Sequence, residues 1–102
     1  MSTLKIRARR QDGYTLLRVL ISHPMETGRR KTEQEQPIAA HYIRNVQIAL
    51  NGALISECLF STSVSRNPYL SLHLPASQPG DRLRVSWQDN QGQSDSDEVL
   101  VE

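Results

Sequence analysis

Apolar residues in this chain recur at every second position, and they do so from one end to the other. Leu4, Ile6 and Ala8 alternate with Lys5, Arg7 and Arg9, the pattern of a half-buried strand whose outward face is basic. Asp12-Gly13 supplies a tight turn. Residues 14–22 place Leu17, Val19 and Ile21 on one face and Tyr14, Leu16 and Leu20 on the other, which predicts a strand covered on both sides. Val46, Ile48 and Leu50 then lead into Asn51-Gly52, a pair suited to a type I′ hairpin because both central positions need positive φ. A two-residue loop sets Leu50 against Ala53, Ile48 against Ile55 and Val46 against Glu57 in the return strand, residues 53–60, so the core face is expected to end or bulge at Glu57. Leu70, Leu72 and Leu74 follow Pro68, and Leu83, Val85 and Trp87 follow Pro79-Gly80-Asp81. After a turn at residues 89–92, a short last strand carries Val99 and Val101 on one face. Helical spacing is almost absent.

Seven short strands in 102 residues cannot each bury an apolar face alone. Two antiparallel sheets packed face to face solve the problem, so the expected architecture is all-β: one domain, residues 1–102, an immunoglobulin-like β-sandwich of about seven antiparallel strands. A partly open barrel is the alternative. Aromatic residues make up only 5% of the chain, which leaves Leu, Ile and Val to build the core and aliphatic side chains to pack Trp87. Residues 16–21 form the longest apolar stretch, and Arg18 interrupts it, so no helix of membrane-spanning length is expected. The five glycines are spread so that no two lie within eleven positions of each other, unlike the glycines of a phosphate-binding loop. The single cysteine, Cys58, excludes an intrachain disulfide and a cysteine-based zinc cage.

Charge is unevenly placed. Residues 1–31 hold eight Lys/Arg against two acids, and residues 32–102 hold four against nine. Either the acidic last strand lies beside the basic first strands and cancels them, or one end attracts a partner. A nucleic-acid-binding β domain using the basic N-terminal strand and Arg29-Arg30-Lys31 is the alternative function, weakened by the scarcity of aromatic side chains for base stacking. Residues 23–40 lack a strand pattern, and a connection that long is usually functional or disordered. His23, Glu26 and His41 flank it. They do not match the helical zinc motif, because Pro24 follows the first histidine, and hydrogen-bonded capping of strand ends is the simpler role for His23 and His41. His73 falls on an outward face. Eleven serines make a Ser-His-Asp set numerically available, yet no nucleophile elbow accompanies them. Cys58, inside a strand, is expected to be inert. No catalytic, cofactor or metal site is expected.

Four segments carry a resemblance: Ser22-His23-Pro24-Met25-Glu26-Thr27-Gly28-Arg29-Arg30, Ala40-His41-Tyr42-Ile43, Ser65-Arg66-Asn67-Pro68-Tyr69-Leu70-Ser71, and Gly80-Asp81 through Trp87-Gln88-Asp89-Asn90-Gln91-Gly92. In their order and spacing the chain resembles the SoxZ family from about Lys5 to Val101. The resemblance implies an immunoglobulin-like sandwich that is not an enzyme and forms a heterodimer with SoxY, whose glycine-flanked cysteine arm carries sulfur intermediates in thiosulfate oxidation. It also implies transient contacts with other Sox enzymes and self-association of the isolated chain. The ending Asp97-Glu98-Val99-Leu100-Val101-Glu102 has no such arm. The basic N-terminus lacks a signal-like apolar region, which read alone predicts the cytoplasm; the resemblance replaces that with the periplasm, by co-export with SoxY. His23, Pro24, Met25, Glu26, Thr27, Gly28, Arg30, Asn67, Pro68 and Tyr69 are the expected partner-binding residues. Membrane and nucleic acid are not expected partners.

Overall fold

Every alternating segment forms a strand. In the computed structural model, which describes residues 2–102, these are β1 (Leu4–Gln11), β2 (Tyr14–Ile21), β3 (Ile43–Leu50), β4 (Ala53–Leu59), β5 (Tyr69–Pro75), β6 (Arg82–Asp89) and β7 (Ser94–Leu100). They make two antiparallel sheets, one in the order β1-β2-β5 and the other β4-β3-β6-β7. This is the immunoglobulin-like sandwich: the inward faces meet as a single core of Leu4, Leu17, Val19, Ile21, Ile43, Val46, Ile48, Leu83, Val85 and their neighbours. Burying a Val, Leu or Ile side chain contributes roughly 1.5–3 kcal/mol, and the period-2 pattern aims each of these residues at the opposite sheet.

The Asn51-Gly52 hairpin forms with positive φ at both residues, 50° and 87°. Its register differs from the simple expectation. Leu50 faces Ala53, but a bulge at Ile48/Ala49 sets Ile48 against Ser56, Val46 against Cys58 and Gln47 against Glu57. The irregularity lies near the turn rather than at Glu57. The extra β4 residue absorbs the change of phase and lets Glu57 point to solvent, where Gln47 Nε2–H donates to it at 2.8 Å. The second face of β2 is also less covered than predicted: Leu16 is half-buried and Leu20 exposed.

One side of the sandwich is laced shut. The Arg10 amide donates to the Glu102 carbonyl at 2.9 Å, and the Glu102 amide to the Ala8 carbonyl at 3.0 Å. Thr3 gives both its amide (2.9 Å) and its hydroxyl (2.7 Å) to Asp95 Oδ2, while Trp87 Nε1–H donates to Thr3 Oγ1 at 2.9 Å. The acidic C-terminal strand therefore lies beside the basic first strand, and Arg9 Nε is 3.7 Å from the Glu102 carboxylate. Trp87 is not packed by aliphatic groups alone, because the His23 ring meets it edge-on at 5.2 Å.

Candidate functional site

Residues 23–40 fold across one end of the sandwich. His23 follows Ile21 in the inward phase of β2, His41 precedes the buried Ile43, and Asp89 continues the inward series Leu83, Val85, Trp87. Period 2 thus drives three polar side chains into the core end, where they need partners. They find each other. His23 Nε2 lies 3.1 Å and His41 Nε2 2.7 Å from Asp89 Oδ2. Asp89 Oδ1 accepts the Gln91 amide at 3.0 Å and the Gln93 amide at 2.8 Å. Burial opposes the charge on this carboxylate, but the donors from His23, Gln93, His41 and Gln91 outweigh it and hold the carboxyl below its usual range.

His23 has a second duty. Its Nδ1 accepts the Met25 amide at 3.1 Å, so the ring proton sits on Nε2 and is spent on Asp89. Met25 has φ of 50°, an unfavourable conformation for a residue with a Cβ. That bond and the donation of the Ile43 amide to Met25 Sδ at 3.3 Å hold it there. Gly28 is needed nearby: its φ is 84°, and an added Cβ would stand 3.1 Å from the Ala40 Cβ.

The metal-ligating atoms of His23, His41 and Asp89 lie within 4.8 Å of one another, a set that invites a divalent cation. The donor chemistry does not fit one. A ligating histidine offers a lone pair to the metal and donates its other N–H outward, whereas His23 accepts at Nδ1 and donates at Nε2. The trio is a hydrogen-bonded clamp that joins a residue following β2 of one sheet to residues of β6 and the entry to β3 of the other.

The clamp also gathers the expected partner-binding residues. His23 and Asn67 pair reciprocally: the His23 amide donates to Asn67 Oδ1 at 3.1 Å, and the Asn67 amide to the His23 carbonyl at 3.0 Å. Glu26 and His41 exchange backbone bonds of 2.6 and 3.0 Å. The Tyr42 amide donates to Asn90 Oδ1 at 2.8 Å, and Asn90 Nδ2–H to the Ala40 carbonyl at 2.9 Å. Of the ten residues, His23, Met25 and Pro68 are buried, Glu26 and Thr27 half-buried, and Pro24, Gly28, Arg30, Asn67 and Tyr69 exposed. Arg30 donates to Glu26 Oε1 at 2.8 Å. Met25 packs within the chain; Tyr69 does not.

Sequence reading gave Asp89 no role of its own, placing it in a turn and within one of the four family-like segments. The available signal was its phase: an acid two residues beyond Trp87 on the inward face cannot be solvated there. It also missed the surface along β4. Leu54 is 59% exposed, Leu59 80%, and Ile55 lies beside them on the same edge strand. Leu59 and Phe60 continue into an open hollow of about 520 Å³ shared with Tyr42, Arg44, Asn45, Gln88 and Asp89. Cys58 points to the half-buried side of β4; burial and then the charge of Glu57 push its thiol up, away from nucleophilic reactivity.

Fold and site together define a small β-sandwich whose polar clamp is occupied with holding its own loops and which exposes Leu54, Ile55 and Leu59 on an edge strand. The family described as sulphur oxidation protein SoxZ matches residues 4–100, and this chain belongs to it. No curated protein matches the chain. Membership gives the protein a role in sulfur oxidation.

Proposed function

We propose that this chain is the non-catalytic subunit of a periplasmic sulfur-carrier complex, binding SoxY and presenting its carrier cysteine to the enzymes that act on it. The observation that carries the reading is β4. An edge strand with free backbone groups normally carries charge, proline or a bulge to discourage pairing; β4 reads Ala-Leu-Ile-Ser-Glu-Cys-Leu and has one charge, Glu57, and one bulge, yet still leaves Leu54, Ile55 and Leu59 exposed. Such a surface suits a lasting subunit contact, which is more apolar than a passing one. The same surface supports self-association when the partner is missing. Partner contact at the clamp end falls to the exposed Pro24, Gly28, Arg30, Asn67 and Tyr69, with buried His23, Met25 and Pro68 and half-buried Glu26 and Thr27 fixing their positions. The periplasmic assignment rests on export together with SoxY.

Co-expression with a SoxY protein is the test. A stable one-to-one complex that Leu54→Glu with Leu59→Glu prevents is expected. A monomeric chain with no affinity for SoxY, or turnover of a sulfur compound by the chain alone, overturns the reading.

A further inference from the structure

The outward face of the three-stranded sheet is a second surface of different chemistry. Pairing of β1, β2 and β5 sets its residues in rows: Lys5, Leu20 and Tyr69; Arg7, Arg18 and Ser71; Arg9, Leu16 and His73; Gln11, Tyr14 and Pro75. Four of these twelve positions are cationic and none is acidic. Arg7 and Arg18 are direct cross-strand partners, an arrangement of like charges that destabilises a sheet. Among the described residues, only Arg9 of these four has a carboxylate within 4 Å, that of Glu102 at 3.7 Å. Between the cations lie Leu16 and the exposed Leu20, and Tyr69 is 59% exposed. Lys5, Arg7, Arg18, Leu20 and Tyr69 line one hollow of about 470 Å³, and Arg7, Arg9, Leu16 and Arg18 line another.

We infer that this face is a docking surface for a protein whose own surface sets carboxylates around apolar side chains, visited transiently. The charge demands an acidic partner. The aliphatic residues set among the cations favour a protein over a nucleic acid, since Leu16 and Leu20 offer nothing to a phosphate backbone. A base-stacking sheet needs several free aromatic faces, and here Tyr14 is already stacked on His73, with ring centres 4.3 Å apart and planes at 25°. Two eight-residue strands and one of seven span about 25 Å by 14 Å, well below the roughly 800 Å² per partner of a stable interface, so the contact is weak, fast and salt-sensitive. A partner carboxylate between Arg7 and Arg18 relieves their repulsion. This inference goes beyond the SoxY reading and does not depend on it: β4 belongs to the other sheet, this face points away from that sheet, and of the residues given to SoxY contact only Tyr69 also lies on it.

The test is a titration of the isotope-labelled full chain, followed by amide NMR shifts, with a synthetic acidic peptide in which every third residue is Leu or Tyr. Polyglutamate and single-stranded oligothymidylate of equal charge serve as comparisons. The mixed peptide is expected to bind tightest, to shift the amides of Lys5, Arg7, Arg18, Leu20 and Tyr69, and to weaken roughly tenfold between about 0.05 M and about 0.3 M salt. Arg7→Glu is expected to weaken binding roughly tenfold while raising the melting temperature, because it turns a repulsive cross-strand pair into an attractive one; loss of binding through misfolding would lower it. Shifts centred on Arg29, Arg30 and Lys31, equal or tighter binding of the oligonucleotide, self-association through this face, or no binding at all would each overturn the inference. Repeating the titration with SoxY bound separates the two readings. Shifts that persist leave both intact, shifts abolished by SoxY remove the transient surface alone, and failure of SoxY to bind removes only the earlier proposal.

Discussion

The two long sides of the sandwich are treated differently. On the β1/β7 side the C-terminal residues bond across to β1, and Asp95 draws in Thr3, which in turn accepts from Trp87. On the β4/β5 side, among the described residues, no backbone hydrogen bond joins the two edges, and four of the exposed large apolar residues, Leu54, Ile55, Leu59 and Tyr69, stand there. One side spends its polar groups on folding. The other leaves backbone groups and apolar area unspent. The clamp at the loop end belongs with the closed side in kind, because it too ties one sheet to the other. The difference separates what the molecule needs in order to fold from what it holds in reserve for association.

The largest effect is expected from cutting the clamp. Asp89→Ala leaves the His23 and His41 N–H groups and two turn amides without their acceptor in a buried site, a loss of about 3 kcal/mol. Chemical denaturation of the isolated chain measures it. A cost below about 1 kcal/mol would show that the loop end holds without the clamp and that the contrast between the two sides is weaker than drawn.

Strand phase was the most legible feature because alternation is a local property. All seven strands and the Asn51-Gly52 turn could be read from it, and so could the sandwich, since alternating strands have few ways to bury one face each. Two things could not be read. Ile55 is apolar and fits either register of β4, so nothing local placed the bulge at Ile48/Ala49. Asp89, His23 and His41 each announce themselves only as polar residues in an inward phase; that they meet depends on the loop of residues 23–40 crossing the end of both sheets. The four family-like segments were legible as strings, while their convergence through the His23–Asn67 and Tyr42–Asn90 pairs is a tertiary fact.

A smaller effect follows from pH. Hydrogen bonds from Thr3 and Ser96 hold Asp95 below its usual range against a lesser opposing effect of burial, and Asp89 is lowered although burial opposes it. For a carboxyl whose folded value is depressed, the stabilisation is complete above the unfolded value, near 3.8, and disappears as pH falls through the folded one. The wild-type chain is therefore expected to exceed Asp95→Asn, which has no histidine partner, in stability by a constant margin from neutral pH down to about 5, with the margin narrowing as the solution is acidified further. Melting curves across that range check it. A margin that widened on acidification would mean that the Asp95 carboxyl is not held ionised by the fold.

The smallest expected change in stability is on the open side, and there a near-zero result is the informative one. Leu54→Ser and Leu59→Ser remove side chains that water already reaches, so each should alter the stability of the isolated chain by no more than about 0.5 kcal/mol. Leu17→Ala, in the core, should cost about 3 kcal/mol. The same two serine variants should reduce self-association of the lone chain and its retention by SoxY, because the apolar area they delete is available only to another molecule. Measuring stability and association on the same samples sets the two sides of the sandwich directly against each other. If Leu54→Ser or Leu59→Ser cost the monomer more than about 1 kcal/mol, β4 would already be spent on the fold, and the side read as open would be another closed one.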